Sequence, residues 1–113
     1  MKIIDKISIA ELQSMAQNMD GNIVKADVDI VRKVVIVDMP MHFEGEQELL
    51  QRGSKQVDLW GVNLFPAKFG TEYFIEFDSM INIKPHHNNR SMNIQSPEIR
   101  ERIKAIVDGI LYE

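Results

Sequence analysis

Two β-branched runs joined by almost nothing constrain this chain more than any other feature. Across residues 23–39, Val24, Ala26, Val28 and Ile30 alternate with Lys25, Asp27 and Asp29. Residues 33–39 then carry valine or isoleucine at neighbouring positions. The first pattern fits a half-exposed strand, and the second a more central strand that is apolar on both faces. A hairpin near residues 31–32 is the economical reading. No Gly or Asn marks its turn, so the turn type stays open.

The flanks supply two capped helices. Ser8 and Glu11 form an S-x-x-E capping box, with Ile7 and Leu12 spaced for a hydrophobic staple. Leu12, Met15, Ala16 and Met19 follow at helical spacing and Gly21 is a natural stop, which predicts a helix over 8–20. Near the C-terminus Ser96 is an N-cap with Pro97 at the first helical position. Ile99, Ile103, Ile106, Val107 and Ile110 then form one apolar stripe. A shorter, mostly polar helix is expected over 44–52, although Gly45 weakens it by ~1 kcal/mol relative to alanine.

Residues 57–65 and 72–77 read as a second hairpin with a loop over 66–71, and 80–84 as a third extended run. A weak alternation over 2–7 adds a short leading strand. Hairpins therefore dominate, and strands do not alternate regularly with helices. The expected architecture is α+β: an antiparallel sheet of four to five strands with two long helices and one short helix packed on one face. At 113 residues the chain fits a single globular domain, 1–113.

Three stretches, GSKQVDLWGVNLFP (53–66), IEFDSMINIKPHHNNRS (75–91) and SPEIRERIKAIV (96–107), resemble a bacterial family known only as a domain of unknown function, number 5674. MKIIDKISIAELQSMA and VKADVDI fit the same pattern, so the resemblance covers nearly the whole chain. It implies no activity, cofactor or site residue.

Charge and composition narrow the function classes. The formal net charge of −4 disfavours a general electrostatic grip on nucleic acid. With no cysteine, disulfides, thiolate zinc sites and cysteine nucleophiles are excluded, and a cytoplasmic setting is expected. Apolar runs are far shorter than the ~20 residues of a membrane helix, and the N-terminus does not read as a signal peptide.

Four groups of residues could carry chemistry. Asp58 lies on one strand of the second hairpin, and Glu76 and Asp78 lie two apart on the other. Converging, they could hold Mg²⁺ or Ca²⁺ or act as an acid and a base; the plain alternative is a solvated sheet face. His86 and His87 adjoin in a loop where side chains diverge, and His42 precedes Glu44 and Glu48 without any H-E-x-x-H spacing. No metal and no cofactor are expected. Asn88, Asn89, Arg90 and Ser91 form either a turn or an anion site, with Arg90 as a fork, Ser91 as donor, His86 or His87 as acid and Lys84 adding charge. Trp60 beside Gly61 is either a core ring or an aromatic platform for a ligand. Ser79 and Ser91 sit in no G-x-S-x-G context.

The leading expectation is a non-catalytic interaction or ligand-binding module forming a homodimer, with Phe43, Phe69 and Tyr112 as contact surface. The expected binding residues are Trp60, His86, Asn89, Arg90 and Ser91. The alternative is a small, nuclease-like hydrolase acting on a phosphate-containing substrate through Asp58, Glu76, Asp78, His86 and Arg90.

Overall fold

A computed structural model of the chain describes residues 1–113. Strand β1 (Lys2–Ile4) is followed by β2 (Ile7–Ser8) and helix α1 (Ile9–Gln17). Half of the expected capping box forms: Ser8 Oγ accepts from the Glu11 backbone N–H at 3.0 Å, while the Glu11 carboxylate accepts from Lys2 Nζ at 3.5 Å instead of reaching back to Ser8. The helix ends before residue 20, where a 3₁₀ turn with Gly21 at φ 79° takes over.

Strands β3 (Val24–Asp29) and β4 (Val34–Val37) make the expected hairpin. Its turn lacks glycine because a side chain does the capping. Asp29 Oδ1 accepts from the backbone N–H groups of Val31 and Arg32 at 2.9 and 2.8 Å, and Lys33 takes the left-handed conformation at φ 58°. Helix α2 (His42–Gln51) starts two residues earlier than expected. Strand β5 (Leu59–Leu64) pairs with the short β6 (Ile75–Glu76), so the second hairpin also forms. Helix α3 (Pro97–Ile110) is capped by Ser96 and followed by β7 (Leu111–Tyr112), which runs parallel beside β2.

The main sheet has five antiparallel strands in the order β1-β4-β3-β5-β6. The register Val28↔Trp60 and Val28↔Val35 places those side chains on one face with Val24, Ala26, Val62 and Leu64. There they pack with Leu12 and Ala16 of α1 and Ile103 and Val107 of α3 into the larger core. The opposite face carries Asp27, Ile36, Gly61 and Asn63, and α2 lies over it through a small cluster of Ile36, Met39, Leu49 and Leu59.

Helices cover both faces of the sheet rather than one, because α2 carries enough apolar surface in Leu49 to close the second side. Residues 80–84 are not a strand: Met80–Asn82 form a 3₁₀ turn. The Asn82 side chain takes the place of a neighbouring strand, accepting from Gly61 N at 2.8 Å and donating to Gly61 O at 2.9 Å. An amide presents the same donor–acceptor pair as a peptide unit, so one side chain satisfies the edge of β5 there.

Candidate functional site

Strand alternation sends Lys25, Asp27 and Asp29 to the face under α2. The pattern fits a half-exposed strand, yet Asp27 and Asp29 are fully buried. Burying carboxylates is costly unless each finds a partner. Asp29 does so in the hairpin turn and through Ser54 Oγ, which donates to its Oδ2 at 2.6 Å.

Asp27 reaches His42, the first residue of α2, with Oδ1 2.8 Å from Nδ1. The other ring nitrogen lies 2.9 Å from Asn63 Oδ1 on β5. Asn63 Nδ2 donates to Glu76 Oε1 at 2.8 Å and to the Asp78 carbonyl at 3.2 Å, which fixes how its amide is turned. His42 Nε2 must therefore donate to Asn63. One proton remains between His42 Nδ1 and Asp27, carried either by the acid or by the imidazole. Burial pushes the Asp27 carboxyl up from 3.8 to about 6, against the lowering pull of the His42 hydrogen bond and charge; the Glu46 charge raises it and the Glu46 backbone N–H lowers it, both by less.

Two glycines make this packing possible. A Cβ on Gly61 would stand 2.7 Å from Ser79 Cβ and 2.9 Å from His42 Nδ1. One on Gly45 would run into Asp27 Oδ2 and lie 2.8 Å from Met39 Cε. Gly45, a weakening feature when α2 is read alone, is what lets the helix approach the sheet.

Above this layer lies a groove of about 590 Å³ between α2 and the 78–92 connector. Its floor includes His42, Glu46, Asn63, Asp78 and Ser79, with Lys25 at one side. Its rim is apolar and exposed: Met41 at 60%, Phe43 at 56% and Met80 at 72%, with Ile83 and Met92 beside them. A hollow of about 650 Å³ between β6 and α3 is slightly larger, but it is lined by Phe69, Phe74, Arg100 and Lys104 and touches none of the polar layer.

The residues singled out from sequence are spread over the molecule. Asp58 is not on a strand as expected: it closes a 3₁₀ turn (Gln56–Asp58) just before β5, where its carbonyl accepts from Ile30 N at 3.1 Å. Glu76 pairs with Asn63 near the other end, five residues and roughly 16 Å along the strand. Asp78 lines the groove. Trp60 is fully buried on the face toward α1 and α3, with no surface open to a ligand. Asn89 is buried and organises the connector: Nδ2 lies 2.8, 3.0 and 3.1 Å from the carbonyls of Asn82, Ser91 and Asn93, and Oδ1 accepts from Gln95 N. Ser91 Oγ donates to Asn93 O, while His86 and Arg90 are exposed at the outer end of the connector. The anticipated constellation of acids, His86 and Arg90 thus does not share one pocket.

Lys84 is completely buried. Its ammonium donates to Ile81 O at 2.9 Å and lies 5.1 Å from the centroid of the Trp60 ring. Burial lowers it to about 8, while the charges of Glu46, Asp27 and Asp58 hold it up. It therefore braces the connector and is not free to meet an anion.

Nothing in the sequence alone singles out Asp27, Glu46 or Asn63, and it offers His42 only as a metal ligand. The one available signal was Gly45 inside an otherwise helical segment, which marks a close approach. No set of three or more His, Asp or Glu side chains is placed to hold a metal ion, and no helix is long and apolar enough to cross a membrane.

A family model described as Protein of unknown function (DUF5674) matches residues 1–110. No curated protein and no solved structure matches the chain. The chain belongs to the DUF5674 family.

Proposed function

We propose that this protein is a non-catalytic binding module whose groove between α2 and the connector receives a segment of a protein partner. One observation carries the reading. The polar floor at His42 and Asn63 is hydrogen-bonded internally, while five large apolar side chains around it stand open to solvent. The His42 imidazole has no free lone pair with which to act as a general base, because both its nitrogens are hydrogen-bonded inside the protein. The rim offers what a binding surface uses: flexible, polarisable methionines that adapt to the shape of an occupant, beside an aromatic ring. Burying each such side chain contributes ~1.5–3 kcal/mol before the costs of association. A homodimer and a cytoplasmic setting belong to the same proposal.

Selection of a random-peptide display library on the folded protein tests this. Peptides recovered on wild type are expected to lose about tenfold or more in affinity, ~1.4 kcal/mol, on Met80→Glu. The reading fails if selection enriches nothing, or if enriched peptides bind that variant as well as wild type.

A further inference from the structure

Among the groove residues, Glu46 stands apart. It is 8% exposed, its Oε2 is buried, and no protein donor reaches that oxygen. No ammonium, guanidinium or imidazole lies within 4.0 Å of its carboxylate. Buried carboxylates are ordinarily paired, so an unpaired one lining a groove calls for an explanation.

The neighbours do not supply it. Lys84 is close enough for its charge to be felt, but its ammonium donates to Ile81 O and stays more than 4.0 Å from the Glu46 carboxylate. Asp27 faces His42 instead. Lys25 lines the same groove without approaching within salt-bridge distance. Asp78 adds a second acid to the lining, and Glu76 stands just beyond Asn63. Acids therefore outnumber the one free cation around an otherwise methionine-rich rim.

We propose that Glu46 is the specificity-determining residue of the groove, pairing with a basic side chain that the partner segment places between apolar ones. The inference rests on the groove being the binding site and names the chemistry of its occupant: a Lys or Arg flanked by aliphatic or aromatic residues. The methionine rim takes the apolar neighbours and the stem of the basic residue, and its charged end reaches the carboxylate floor. Closing over the pair excludes water, which strengthens the charge-assisted hydrogen bond.

The same random-peptide selection, followed by matched synthetic peptides, tests this. The enriched peptides are expected to share a Lys or Arg between apolar residues. Replacing that residue with norleucine should weaken binding at least about tenfold on wild type and have little effect on Glu46→Gln. Glu46→Gln is itself expected to fold with an unchanged or raised Tm, because it removes a buried, unpaired charge. The proposal is overturned if enriched peptides lack a basic residue, or if Glu46→Gln binds the Lys peptide as tightly as wild type. Competition by butylamine as strong as by the peptide would assign the site to a small amine and overturn the peptide assignment. Sedimentation showing a stable dimer that is dissociated by Met80→Glu would overturn it in favour of a second copy of the chain. Failure to enrich any peptide instead strikes the binding reading itself.

Discussion

The two faces of the five-stranded sheet are built from the same strands by opposite chemistry. Toward α1 and α3, β3 and β5 present Val24, Ala26, Val28, Trp60, Val62 and Leu64, all buried and apolar. Toward α2 the alternate positions present Asp27, Asp29, Gly61 and Asn63, equally buried and mostly polar. The first face holds the fold together through area removed from water. The second offsets the cost of dehydrating polar groups only through hydrogen bonds with well-placed partners, and it leaves Glu46 Oε2 without one. Stability is concentrated on one side of the sheet, and the groove on the other.

Breaking the apolar face should cost most. Trp60→Ala removes the largest fully buried side chain and is expected to destabilise by about 3–5 kcal/mol, read from denaturant unfolding. A loss below ~1 kcal/mol would mean the two faces do not differ as described.

The polar face should instead reveal itself through pH. Asp27 is raised from 3.8 to about 6 on folding, so the native state binds its proton more tightly than the unfolded chain does. Stability from this group is therefore fully present below about 3.8 and declines as pH rises toward about 6, by up to about 3 kcal/mol. Other carboxylates respond in their own ways, so the diagnostic is the difference between wild type and Asp27→Asn. The amide imitates the protonated acid, donating to His42 Nδ1 while Nε2 still donates to Asn63. The variant should gain stability relative to wild type as pH rises from about 4 to about 7, and parallel pH profiles would remove the burial argument.

Gly61→Ala sharpens the comparison at a single methyl group. The added carbon has Ser79 and His42 in its way, so a loss of about 1–3 kcal/mol is expected, with the His42 ring resonances shifted in NMR spectra. An unperturbed ring would show that the connector yields freely and that the polar layer is not tightly packed.

Much of the frame was legible from local patterns. Ser8 and Ser96 cap their helices as their spacing predicts, and the apolar stripe of α3 buries Ile103 and Val107. Both hairpins form where β-branched runs converge. The polar layer was not legible, because Lys25, Asp27 and Asp29 alternate as a solvent-facing edge would. Nothing near them in sequence announces that α2 will cover them. The connector was equally opaque: Asn89 and Ser91 read as turn or anion site, whereas Asn89 is a buried hub for four backbone groups.

The sequence by itself determined the α+β class, the capped helices and the apolar half of the sheet, since caps, stripes and β-runs act between residues close along the chain. Only tertiary structure decided that α2 closes the second face, that Asp27 meets His42 and Asn63, and that Glu46 is left unpaired beneath a methionine rim. The physical reason is that dehydration of a polar group depends on what covers it, and the cover here comes from segments distant in sequence.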